Sequence, residues 1–81
     1  MTLASLAPGD IATILSVGGN NRAARMRLME LGLMPGTLIK MYRISETYDL
    51  LALQIRGFEL VIRLEDAWHI EVDQLNKMQV Y

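Results

Sequence analysis

Few side chains in this 81-residue chain have types and spacings that support chemistry. It has 1 histidine, His69, and no cysteine. Without cysteine there are no disulfides, thiolate metal sites, iron–sulfur clusters or cysteine nucleophiles. Glu65 and Asp66 lie just before His69, which makes these three the weak candidates for a metal site. Open divalent sites built on nitrogen and oxygen typically take two histidines and a carboxylate. One imidazole falls short, and on an extended segment His69 is expected to point outward while Trp68 or Ile70 points in. The 6 methionines do not help, because thioethers suit Cu(I) better than a hard divalent ion. No metal site and no cofactor are expected.

Catalysis has equally little support. No Gly-x-Ser-x-Gly elbow occurs, and the lone histidine has no recognisable nucleophile or orienting partner. Gly18-Gly19 precedes a helical stretch, as a phosphate loop would. The Lys-Ser/Thr pair that completes such a loop is absent, so the two glycines read as a turn. The expectation is a protein that is not an enzyme.

Composition points the same way. The net charge is −1, from 8 basic and 9 acidic side chains, which is poor material for nucleic-acid binding. The hydrophobic fraction is 52% before the 6 glycines are counted, already above the ~45–50% typical with glycine included. A domain this small buries only about 60–65% of its unfolded surface, so some apolar side chains must stay outside. No stretch approaches the ~18 uncharged residues of a membrane span, so no insertion is expected. The apolar start Met1–Pro8 lacks the basic flank of a signal peptide, and the expected compartment is the cytoplasm.

The elements that must position these residues are short. Pro8–Gly9 turns into a β-branched strand, Asp10–Val17. Gly18–Asn21 breaks it, and Asn20 or Asn21 caps a helix over Arg22–Leu31. Gly32 is placed to end that helix in a left-handed conformation, with Leu33 folding back on Leu28. Pro35–Gly36 suits a type II turn. Strands follow at Thr37–Ile44, Leu50–Arg56, Phe58–Arg63 and Trp68–Val72, with Gly57 making a tight hairpin and Leu64–Ala67 a short turn. Five short strands and one helix predict a mainly β domain over residues 1–75. The expected form is a small, strongly bent barrel of about five strands that closes its own edges, with the helix inserted after the first strand. Residues 76–81 are expected to form a tail, either disordered or, since Met78 and Val80 alternate, an edge strand added to a second copy.

Helical spacing puts Ala24, Leu28 and Leu31 on one face, expected to cap the barrel. Met26 and Met29 fall on the far side with Arg22, and Arg25 lies between. Arg27 and Glu30 are spaced to pair, as are Arg56 and Glu59 across the hairpin. On the next strand Leu38 and Tyr42 flank Lys40 on an outward face. The candidate partner-binding residues are therefore Arg22, Arg25, Met26, Met29, Leu38 and Tyr42, types enriched at interface cores or exposed without another role. The competing reading packs the methionines under a loop, a use to which methionine is well suited. Val61 and Tyr48 are further apolar residues on outward or loop positions.

One ordered set of motifs is more specific. It runs through Arg27-Leu28-Met29-Glu30-Leu31-Gly32-Leu33-Met34-Pro35-Gly36-Thr37, preceded by Gly18-Gly19. It continues in Asp49, Leu53-x-Ile55-Arg56-Gly57-Phe58-Glu59-Leu60-x-Ile62-Arg63 and Ala67-x-x-Ile70-x-Val72. Together these resemble the FeoA family, ferrous iron transport protein A, over Leu6–Val72. The resemblance implies an SH3-like barrel. It also implies a cytosolic accessory protein that contacts the GTP-binding part of the membrane ferrous iron transporter. Where the family often reads Pro-Leu-Gly-Asp-Pro, this chain has Glu46-Thr47-Tyr48-Asp49-Leu50 and keeps only Asp49. The same barrel occurs as a module of iron-dependent transcriptional repressors. Those trail a helix-turn-helix domain, for which no segment is found in these 81 residues.

Overall fold

Short runs rich in β-branched and apolar residues form the strands. The structure, a computed structural model, describes residues 1–75; the tail expected to add as an edge strand lies outside the described residues. The strands are β1 (Ile11–Val17), β2 (Leu38–Ser45), β3 (Leu50–Ile55), β4 (Phe58–Arg63) and β5 (Ile70–Gln74). Helix α1 (Arg22–Glu30) stands between β1 and β2, and a single turn, α2 (Leu64–Ala67), between β4 and β5. A 3-10 turn covers Leu3–Ser5.

All pairings are antiparallel, in the order β4-β3-β2-β1-β5. Period-2 alternation sends one face inward: Ala12 and Ile14, Ile39 and Met41, Leu51, Leu53 and Ile55, Ile62, and Ile70 and Val72 are all buried in one cluster. A flat sheet could not cover so many side chains with one nine-residue helix, so the sheet curls over its own core. Two register irregularities assist, between Ile14 and Ser16 in β1 and between Met41 and Arg43 in β2. A bulge adds a residue to one strand and bends it.

The architecture is the expected small β domain with a helix after the first strand, with one difference. No ladder joins β4 to β5, so the sheet does not close its own edges. α2 spans the gap, and the Leu64 N–H donates to the Asp49 carbonyl at 2.8 Å. The outer side of β5 is covered by the N-terminal segment, through a Thr2–Glu71 bridge and a 3.0 Å bond from the Val72 N–H to the Met1 carbonyl.

Other differences have local causes. The last strand begins at Ile70 rather than Trp68, because Trp68 caps α2 in the right-handed helical region (φ −65°, ψ −19°). The β3–β4 hairpin turns on two residues, and Arg56 (φ 51°) joins Gly57 (φ 85°) in the left-handed region that such two-residue turns require. Asp49 (φ 55°) does the same at the end of the β2–β3 connection, a conformation that aspartate tolerates better than most residues. Among the described residues the ion pairs are Met1 amino–Glu71 and Arg63–Glu65, and the expected Arg27–Glu30 and Arg56–Glu59 pairs do not form.

Candidate partner-binding surface

The loop after β1 and the start of α1 are built as one unit. The Asn21 side chain accepts the Ala24 N–H at 3.1 Å, which caps the helix. Gly18 donates its N–H to the His69 carbonyl at 2.7 Å. A Cβ at Gly19 would stand 3.3 Å from Cγ of His69, and Gly19 has φ +102°, so both close approach and backbone conformation call for glycine. The Gly18-Gly19 pair, legible in the sequence only as a turn, thus seats the loop on the start of β5. Arg25 reaches back and donates from Nη1 to the Gly19 carbonyl at 2.7 Å. Arg25 is consequently half-buried and engaged, rather than a free surface cation.

The weak metal candidates sit beside this loop. Glu65, Asp66 and His69 line a shallow depression of about 310 Å³ together with Arg25, Arg27 and Arg63. The arginines place positive charge where a cation would have to bind. Glu65 lies 3.5 Å from Arg63, in a largely exposed pair of small energetic weight. Among the described residues no three His, Cys, Asp or Glu side chains gather in a metal-holding group. Anaerobic calorimetric titration with Fe²⁺ is expected to find no stoichiometric site tighter than about 1 μM, since one imidazole and two dispersed carboxylates make a poor ligand set. A tighter site that His69→Ala removes would overturn this reading.

Helix α1 presents its remaining candidates unevenly. Arg22 is exposed, Met26 is 50% exposed, and Met29 is half-buried. Leu28 is buried and Ala24 half-buried, as expected of the inward face, but Leu31 is exposed. The helix stops at Glu30 and Leu31 becomes its C-cap, so the chain turns before Leu31 can face the core. The core position goes to Leu33, fully buried behind a Schellman turn. There the Leu33 N–H donates to the Leu28 carbonyl at 3.1 Å and the Gly32 N–H to the Met29 carbonyl at 3.0 Å.

On β2, Leu38 is 56% exposed and Tyr42 43% exposed, on either side of exposed Lys40. Leu38 lines a depression with Met34, Pro35 and Arg56, so it joins the α1–β2 turn to the tip of the β3–β4 hairpin. Tyr42 occupies the β2 irregularity near Ala52. The structure therefore adds two exposed apolar residues, Leu31 and Met34, that the sequence reading did not select. Both flank the helix stop at Gly32, where the chain reverses: Leu31 fits the helical period but falls just beyond the helix, and Met34 lies in the turn that follows. Tyr48, singled out in the sequence on a loop position, belongs to a second apolar region. Tyr48, Leu50, Leu64 and Trp68 border a depression of about 510 Å³ on the α2 side of the sheet.

A single curled antiparallel sheet with a short helix after its first strand and a one-turn helix before its last strand defines a small SH3-like domain. The chain belongs to the FeoA family, whose domain model matches residues 1–74, and the family is associated with ferrous iron transport. The solution structure of a Chlorobium tepidum FeoA protein is similar, with a TM-score of 0.86 and 34% identity over 98% of this chain and 74% of that one. A Stenotrophomonas maltophilia FeoA complexed with zinc has a TM-score of 0.77 and 29% identity, covering 90% of this chain and 89% of that one. It is described as a prokaryotic SH3 domain protein and a candidate ferrous iron transport activating factor. Iron(II) transport protein A from Clostridium thermocellum has a TM-score of 0.81 and 25% identity over 93% of this chain, which spans 46% of that one. Comparison with curated proteins finds no match.

Proposed function

We propose that this protein is a non-enzymatic accessory protein of ferrous iron uptake. It acts in the cytoplasm by docking on the GTP-binding cytosolic part of the membrane ferrous iron transporter. The observation that carries this reading is the set of exposed apolar side chains along α1 and the start of β2 in a member of an iron-transport family. Met26, Leu31, Met34 and Leu38 are all large, apolar and exposed, and Arg22 is exposed at the N-terminal end of the same helix. Arginine, aromatic residues and methionine are enriched at interfaces. Met29 is half-buried on the same helix, Tyr42 is exposed further along β2, and Arg25 holds the loop at Gly19. Among the described residues no helix is long and apolar enough to cross a membrane, in keeping with recruitment by a partner.

The test uses exposed positions only, because Arg25 and Met29 also support the fold. Met26→Ser combined with Leu38→Ser removes two exposed side chains and is expected to leave the melting temperature within a few degrees, as surface substitutions usually shift stability by no more than about 0.5 kcal/mol. It is expected to abolish capture of the transporter's purified cytosolic domain, since binding energy concentrates in few residues. A folded double variant that still binds would overturn the proposed surface.

A further inference from the structure

The two edges of the sheet differ. The outer side of β5 is covered by the N-terminal segment. β4 stands at the other end of the strand order, and among the described residues no other element is hydrogen-bonded to its outer edge. Such an edge is a template for a further strand. The hairpin register fixes which groups it offers. A two-residue turn leaves Ile55 and Phe58 as the closing pair, and that pair exchanges both backbone bonds. With a period of two, Phe58, Leu60 and Ile62 direct their N–H and C=O groups to β3. The N–H groups of Glu59, Val61 and Arg63 point away from it, as do the carbonyls of Glu59 and Val61.

Side chains follow the same period. Glu59, Val61 and Arg63 share the solvent face of β4 and are all exposed. An acid, an apolar residue and a base in that order complement their own reverse. Aligned antiparallel about Val61, two copies set Val61 against Val61 and each Glu59 against Arg63 of the other. The backbone agrees with this alignment. The Val61 N–H meets the Val61 carbonyl of the second copy, and the Arg63 N–H meets the Glu59 carbonyl, each twice. A parallel alignment in register would place like charges side by side, which is destabilising.

The core side of β4 is complementary as well. Phe58 is 49% exposed there, and Leu60 is half-buried beside the open edge. The same alignment brings Leu60 against Ile62 of the second copy and Phe58 to its half-buried Leu64, so apolar surface leaves water on this face too. At the ends, Arg56 of each hairpin arrives near α2 of the other copy, where Glu65 and Asp66 lie. Glu65 stands 3.5 Å from Arg63 of its own chain, but these side chains are 74% and 70% exposed, and so exposed a pair competes weakly.

We infer that two copies of this protein associate by antiparallel pairing of their β4 edges, centred on Val61, to form one continuous sheet across a two-fold axis. This inference is independent of the docking surface on α1 and β2, because it uses none of those residues.

So short a ladder makes a small contact, and a weak dimer is expected, with a dissociation constant of about 0.01–1 mM. Sedimentation equilibrium of the intact protein from about 10 μM to about 2 mM should show the monomer–dimer transition that this range implies. Glu59→Arg and Arg63→Glu each place like charges opposite one another twice, at exposed positions. Each is expected to weaken self-association at least about tenfold and to leave the melting temperature within a few degrees. Mixed in equal amounts, the two variants are expected to pair with each other about as tightly as the wild type does, because every acid again faces a base.

A strict monomer at about 2 mM would overturn the inference. So would self-association that both charge variants retain, since the contact would then lie elsewhere. A mixture of the two folded variants that stays monomeric would overturn it equally, because the opposed charges would not be meeting across the edge.

Discussion

Leu53→Ala is expected to destabilise the protein by about 3–5 kcal/mol, the upper part of the range for a leucine removed from a packed core. Leu53 is fully buried on β3, with Met41 of β2 and Leu60 of β4 as its cross-strand partners. The sheet folds over a single core, so neighbours approach the site from several strands and collapse into the cavity is limited. A chain of this length has a total stability of roughly 4–12 kcal/mol, so the loss is a large share of it. Urea denaturation followed by circular dichroism should show the midpoint fall by about a quarter or more, or no folded baseline at all. A loss under about 1 kcal/mol would mean that β3 does not lie at the centre of the core.

Gly32→Val is expected to cost about 2 kcal/mol or more. Gly32 has φ +108° and is the residue at which α1 reverses into the Leu33 turn. A left-handed backbone costs a residue with a Cβ about 1–2 kcal/mol, and β-branching adds to that. The Cβ itself would fit, at 3.4 Å from Cδ1 of Ile55, but the two γ-carbons of valine extend further toward the same wall. Gly32→Ala separates the contributions: it carries the backbone penalty alone and should cost about 1 kcal/mol. If thermal denaturation gave wild-type midpoints for both variants, the helix would have to end by some other device than the turn at Gly32.

Much of the fold was legible along the chain because it depends on local chemistry. The helix stop at Gly32–Leu33, a cap at Asn20 or Asn21 and the hairpin at Gly57 each follow from residues a few positions apart. So do the inward residues Ile39, Met41, Ile70 and Val72, since side-chain direction in a strand has a period of two. Errors arose where a neighbouring element overrode a local preference. Trp68 has the β-propensity of a strand residue, yet it closes α2, because the chain must turn there to bring Ile70 beside Val17. Leu31 fits the helical period but falls one residue beyond the helix.

The surface was less legible, and the reason is physical. Exposure depends on what comes from elsewhere in the chain. Arg25 reads as a free cation in sequence, and only the fold brings the Gly19 carbonyl to its guanidinium. Met26 and Met29 are equivalent by type, and packing alone left one exposed and the other half-buried. Tyr48 and Trp68 stand 20 positions apart in the sequence, with nothing local to link them, and the tie from Asp49 to Leu64 makes them walls of one groove. By itself the sequence determined most of the strand and turn pattern and the scarcity of ligating or catalytic groups, all properties of residue type and short spacing. The tertiary structure decided which apolar residues stay outside and which of them meet, because contact between distant segments is set by the curl of the sheet.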